Sequence, residues 1–182
     1  MKRFKGIIGF AVGFIIVYAA IHLFKNGGEK LPSFEQFRCD DGRFTVLLPG
    51  KPERQNNSID TAVGKIDLVM YMAGSRKAGC VAGYCDYPQQ YINSTDPQKL
   101  LEGARDGAVA NVNGRLVSET QVDFHSKPAR QFVIEVPNKA FVTARVILIG
   151  PRLYQLMLIA PTNQGHEEDI SRFFDSFTVD GI

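Results

Sequence analysis

Three short clusters hold the residues best equipped for chemistry, and each has a plainer structural reading beside it. Asp123, His125 and Ser126 carry the side-chain types of an orienting acid, a base and a nucleophile. In that role the imidazole would take the hydroxyl proton while the carboxylate fixed the ring. Neighbours in sequence rarely align three groups in this way, and the same run reads as a polar turn between two strands. His166 precedes Glu167, Glu168 and Asp169, a set that could attract a cation. Acids at that spacing also suit the first turn of a helix, where negative charge meets the positive end of the dipole. Asp40 and Asp41 are adjacent carboxylates in a polar stretch that promises no dry cavity to perturb them, so they are expected to be solvated.

The cysteines Cys39, Cys80 and Cys85 are too few for a disulfide-dense scaffold, and at most one bridge can form. On one extended strand Cys80 and Cys85 would lie roughly 16 Å apart on opposite faces, beyond disulfide reach unless a tight turn forms at Gly83. A zinc site is not indicated, since two thiols at this spacing with His22, His125 and His166 far apart match no standard ligand pattern. Buried or unpaired thiols are the favoured reading, with one disulfide as the alternative. Gly79 to Gly83 lacks the Lys-Ser/Thr ending and the strand-to-helix setting of a phosphate-binding loop. Neither cofactor nor metal is expected. Tyr71, Tyr84, Tyr87 and Tyr91 gather around one hairpin and could line a ligand-binding or docking surface. Cross-strand packing is the favoured account of them.

These residues must be positioned by the strands that Gly and Pro punctuate. Arg43 to Leu48 alternates Phe44, Val46 and Leu48 on one face and stops at Pro49-Gly50. Ile59–Val63 and Ile66–Met72 flank Gly64-Lys65 as a hairpin. Gly74 to Gly79 turns into Cys80–Tyr87, and the four strands read as one antiparallel meander. Asp96 can cap a helix whose first residue is Pro97, with Leu101, Ala104, Ala108 and Val112 at helical spacing and Gly114 as its stop. Four more strands follow at 116–124, 129–136, 141–149 and 153–160. The runs Val146–Ile149 and Leu156–Ile159 suggest strands buried on both faces. A last helix over 166–177 carries Ile170, Phe173, Phe174 and Phe177 on one stripe. The class is α+β, a mostly antiparallel sheet flanked by helices.

With 182 residues, 45% of them hydrophobic, the chain suits one core. The segment Gly6 to Phe24 is apolar except for His22. Its ~19 residues would span roughly 28 Å as a helix, close to the ~30 Å of a hydrocarbon core. Lys2, Arg3 and Lys5 ahead of it also suit a cleaved signal peptide, but apolarity continues through Ile21, Leu23 and Phe24, which favours a retained anchor. Three basic residues precede the span and two, Lys25 and Lys30, follow it. That bias places the globular part on the extracytoplasmic side, as would signal cleavage. The expected organisation is an anchor at 1–25, a linker at 26–41 and a domain at 42–182. Beyond residue 30 there are 16 basic and 18 acidic side chains without a basic patch, which argues against nucleic acid as a partner. Asn56 and Asn93 stand in N-glycosylation acceptor patterns that matter only in a eukaryotic secretory pathway.

Several of these segments together resemble the PsbP-like superfamily. They are the strand RFTVLLPGKP from Arg43 to Pro52, Tyr84-Cys-Asp-Tyr-Pro88 at a strand end, Asp96-Pro97 with Leu100-Leu101 opening a helix, and Arg172-Phe-Phe-Asp-Ser-Phe177 in the closing helix. The family takes its name from an extrinsic subunit of photosystem II. The resemblance covers about residues 40 to 180 and implies an α/β/α sandwich around an antiparallel sheet. It also implies a non-catalytic assembly, docking or binding role, with no site motif to transfer. The expected function is a membrane-held interaction module with an unidentified protein partner. The competing expectation is a small-molecule-binding domain with a pocket near Tyr84 and Tyr87, and dispersed catalytic residues form a third class.

Overall fold

The computed structural model describes residues 31–61, 64–76, 78–162 and 165–182. The expected anchor at 1–25 lies outside them, and among the described residues no helix is long and apolar enough to cross a membrane. Ten strands and three helices are described. A three-stranded sheet contains β1 (Phe34–Cys39), β2 (Phe44–Pro49) and β10 (Thr178–Val179), in the order β1-β2-β10. A seven-stranded sheet contains β3 (Glu53–Thr61), β4 (Gly64–Gly74), β5 (Gly79–Asp86), β6 (Arg115–Phe124), β7 (Lys127–Val136), β8 (Ala140–Ile149) and β9 (Arg152–Ala160). Its order is β3-β4-β5-β9-β8-β7-β6, and every pairing is antiparallel. The helices are α1 (Gln89–Ser94), α2 (Pro97–Asn111) and α3 (Glu167–Asp175).

Strand β9 is the fourth of the seven and is buried from Leu153 to Ala160. Its continuous apolar run therefore serves two cores at once. On one face Leu68, Met70, Phe132, Ile134 and Met157 meet Leu100, Leu101, Ala104 and Ala108 of α2. On the other, Ala82, Ile147, Leu156 and Leu158 meet Phe173 and Phe174 of α3 together with Phe44, Val46 and Leu48 of β2. Helix α2 starts where expected. The Asp96 carboxylate accepts from the backbone N–H groups of Gln98 at 2.8 Å and Lys99 at 3.2 Å, and Pro97 sits in the first turn, where its missing donor is harmless.

Four details depart from the sequence reading. Phe34–Cys39 is a strand rather than linker, paired with β2 from Phe34↔Pro49 to Cys39↔Phe44. Its pattern leaves Glu35, Gln36 and Arg38 exposed, so no clean alternation announced it. Strand β2 does not join the meander of β3, β4 and β5, because its apolar face packs onto the large sheet from above instead of pairing at its edge. Gly64 and Lys65 lie in the β3–β4 ladder opposite Thr61 and Asp60, so they are strand residues and not the turn itself. The left-handed residue that ends α2 is Asn113 (φ 49°), not Gly114. Gly114 is needed for close approach, since a Cβ there would lie 2.6 Å from the Ile134 side chain.

Candidate functional site

Tyr71, Tyr84, Tyr87 and Tyr91, read from the sequence either as a docking surface or as cross-strand packing, are divided between the two faces of the large sheet. Tyr71 on β4 and Tyr84 on β5 point to the face covered by β2 and α3. Tyr87 and Tyr91 belong to the α2 face, their rings 6.2 Å apart. Side chains of a strand alternate between faces, so Tyr84 and a residue three positions on cannot share one. Tyr71, Tyr84 and Tyr87 are also nearly covered, at 8%, 7% and 4% exposure, so they are packing residues first.

What gathers instead is an aromatic cluster beneath the β1–β2 turn, centred on Phe44, which is fully buried. Its ring centroid lies 6.3 Å from Tyr71, 6.4 Å from Tyr84, 6.1 Å from Tyr154 and 5.5 Å from Phe177. Three of these contacts are edge-to-face, the arrangement that places a positive ring edge on a negative ring face. The turn closes tightly over the cluster. Tyr154 donates its hydroxyl to the Gly42 carbonyl at 2.9 Å, and a Cβ at Gly42 would stand 2.6 Å from the Phe44 ring, so only glycine fits. Cys39 accepts from the Gly42 N–H at 3.2 Å and donates its thiol to the Tyr71 oxygen at 3.4 Å.

A charged rim encircles this cluster. Arg152 reaches both oxygens of Asp86 at 2.7 Å, donates to the Asp41 carbonyl at 3.0 Å and lies 4.4 Å over the Tyr84 ring. Arg54 pairs with the Asp41 carboxylate at 3.4 Å and lies 5.9 Å over Tyr71. Arg38 holds both oxygens of Asp180 at 3.2 and 2.8 Å and Asp40 at 2.9 Å. Asp40 and Asp41 remain largely solvated as expected, at 86% and 65% side-chain exposure, and Asp41 in addition ties the turn to Arg54 of β3. Burial pushes the Tyr71, Tyr84 and Tyr154 phenols up, because desolvation disfavours the phenolate. Beside the rim, between the β8–β9 turn and β10, opens a cleft of about 470 Å³ bordered by Arg43, Arg152, Ile149, Val179 and Ile182. A second cleft of about 430 Å³ lies between the start of α2 and the β6–β7 hairpin, lined by Gln98, Gln121, Ser126 and Lys127.

The other sequence candidates resolve into structural parts. His125 (φ 51°) and Ser126 (φ 62°) form the two-residue turn between β6 and β7, the left-handed pair typical of a tight hairpin. The Asp123 carboxylate accepts from the Ser126 N–H at 2.9 Å, so the acid fastens the turn and does not orient the imidazole. His166 precedes α3, with Nδ1 3.6 Å from Asp169, and Glu167, Glu168 and Asp169 occupy the first turn. Among the described residues no group of three or more His, Cys, Asp or Glu could hold a metal ion. All three cysteines are buried free thiols. Cys80 faces α3 and Cys85 faces α2, the opposite-face arrangement expected of one strand. Desolvation raises both thiols, Cys85 to about 12.

Sequence reasoning missed Arg152, Asp86 and Tyr154 as members of the site. The available signal was weak: Asp86 and Arg152 stand at strand ends marked by Pro88 and Gly150-Pro151. Their pairing requires the β5–β9 register, in which Asp86 opposes Arg152 and Tyr84 opposes Tyr154.

No protein-family model matches the chain, and no curated protein sequence matches it. Among solved structures, the chain is similar to the solution structure of cyanobacterial PsbP from Synechocystis sp. PCC 6803. The TM-score is 0.55 at 12% identity, covering 84% of this chain and 96% of that one. A protein of unknown function from Pseudomonas aeruginosa aligns with a TM-score of 0.33 at 13% identity, over 75% of this chain and 90% of that one.

Proposed function

From its PsbP-like fold, we propose that this chain is a non-catalytic interaction or assembly module, held at the extracytoplasmic face of a membrane by its N-terminal apolar segment. The supporting observation is what the reactive residue types are used for. The arginines and aspartates over the Phe44 cluster spend their hydrogen bonds on each other across separate strands. The thiols of Cys80 and Cys85 are held in the protonated form by burial, and a nucleophile needs the opposite shift. Groups arranged in this way stiffen a surface rather than move protons. The apolar run from Gly6 to Phe24 supports the anchor, and the basic residues flanking it support the orientation. The partner in this reading is a protein, not nucleic acid.

Affinity purification of the full-length chain from membranes in gentle detergent tests the module reading. A defined, stoichiometric membrane complex is expected, and a chain that is always recovered alone would overturn it. Alkaline carbonate extraction tests the anchor separately. The chain should stay with the membrane pellet, whereas release of unprocessed chain would remove the tether from the proposal.

A further inference from the structure

The cleft beside the aromatic rim has an unbalanced chemistry. Its two acids are each ion-paired with an arginine: Asp86 gives both oxygens to Arg152 and Asp180 gives both to Arg38. Arg152 in turn has spent its forward donors on Asp86 and on the Asp41 carbonyl. Arg43 differs. It is exposed, and among the described residues its guanidinium has no carboxylate or carbonyl partner, although it borders the cleft. Its backbone is held in the left-handed region (φ 55°), where a non-glycine residue is uncommon and strain of this kind gathers at functional positions. Two hydrogen bonds fix it there, from the Arg43 N–H to Asp40 O at 3.1 Å and from the Asp180 N–H to Arg43 O at 2.9 Å. The opposite wall is apolar, with Ile149, Pro151 and Val179 lining it and Ile182 41% exposed at the lip. A volume of about 470 Å³ falls within the ~300–1,000 Å³ of pockets that hold small molecules.

We propose that this cleft binds an organic monoacid, its carboxylate received by Arg43 and its aliphatic or aromatic tail laid on Ile149, Pro151 and Val179. A guanidinium with free donors offers a carboxylate two parallel hydrogen bonds. A cationic ligand would find the charge of both aspartates already balanced by an arginine, so it would gain little net attraction there. The apolar wall selects for a tail, because covering it removes hydrocarbon surface from water. This site does not depend on the membrane module or on its protein partner.

Isothermal titration of the full-length chain in phosphatidylcholine nanodiscs, corrected with empty nanodiscs, tests it. The probes are hexanoate, 3-phenylpropanoate and indole-3-acetate, with 3-phenylpropylammonium and 3-phenylpropanamide as matched controls. At least one acid should bind saturably at one site per chain, with both controls at least tenfold weaker. Arg43→Met should weaken the acid at least tenfold and Arg43→Lys less so. Ile149→Trp, which fills the cleft and leaves Arg43 in place, should also abolish binding, with folding of each variant verified by circular dichroism. The proposal is overturned if none of the three acids binds saturably. It is equally overturned if the ammonium matches the acid, or if folded Arg43→Met or folded Ile149→Trp binds as the parent chain does.

Discussion

Arg152 and Asp86 face each other across the β5–β9 ladder, with Arg152 Nε and Nη2 each 2.7 Å from a different oxygen of Asp86. The pair closes one end of the central strands, and Arg152 adds a bond to the Asp41 carbonyl and stacks over Tyr84. One side chain thereby joins β5, β9 and the β1–β2 turn. Arg152→Met is expected to lower stability by about 1–2 kcal/mol, more than an ordinary surface pair, because it loses a bidentate bond and a stacked contact together. Asp86 is 51% exposed in its side chain, so Asp86→Asn should cost less, about 0.5–1 kcal/mol. Urea midpoints of the two variants and their double variant give the coupling. Equal losses in both single variants would show that the ion pair alone accounts for the effect.

Asp96 governs the start of α2. Its carboxylate takes the N–H groups of Gln98 and Lys99, which have no partner within the first turn of a helix. Asp96→Ala should destabilise the domain by about 1 kcal/mol, while Asp96→Ser should retain most of that stability. The check is the shift of the urea midpoint at unchanged slope. A loss from Asp96→Ser as large as from Asp96→Ala would assign the effect to something other than capping.

Asp96, the helix it caps and the central place of β9 were legible because their signals are local. A capping residue followed by proline and an unbroken apolar run can each be recognised within a dozen positions. Strand β10 could not be read in this way. It has two residues, and its partners Thr45 and Phe44 lie far away in the chain, so only tertiary packing creates it. The same holds for the site. Phe44 was visible as an inward position of its strand, but its neighbours Tyr154 and Phe177 become neighbours only through sheet register and helix packing. The division of the tyrosines had a signal in the sequence: Tyr84 and Tyr87 stand an odd number of positions apart in an extended stretch, which sends them to opposite faces.

Cys85 makes stability depend on alkaline pH. Burial raises its thiol from an ordinary 9.0 to about 12 in the folded chain. Below the ordinary value both states hold the proton, and the stabilisation is fully present. Between the two values the unfolded chain ionises and the folded chain does not, so stability falls as pH rises toward 12, by up to about 1.4 kcal/mol per pH unit for one group. Cys80 and the buried tyrosines act in the same direction. Cys85→Ala should therefore show a shallower loss, retaining about 1–2 kcal/mol relative to the parent chain between pH 8.5 and 10.5. Guanidinium midpoints across that range measure it, and parallel curves would place the thiol in contact with solvent.

Phe44 should be among the most sensitive positions in the molecule. It is fully covered, and the rings of Phe37, Tyr71, Tyr84, Tyr154 and Phe177 all lie within 6.4 Å of its own. Truncation would leave a cavity that the β1–β2 turn cannot fill, since that turn is tied down by Tyr154, by Cys39, by the Arg54–Asp41 pair and by the bond from Arg152 to the Asp41 carbonyl. Phe44→Ala should cost about 3–5 kcal/mol, whereas Phe44→Leu should cost less because more of the volume is kept. Phe34, half-buried at the start of β1 and packed against the same core from its margin, is the internal comparison, and Phe34→Ala should cost clearly less than Phe44→Ala. Chemical denaturation gives the magnitudes. With no tryptophan in the chain, the near-ultraviolet circular dichroism of the tyrosines reports directly on the cluster, and an unchanged spectrum in folded Phe44→Ala would contradict the packing described.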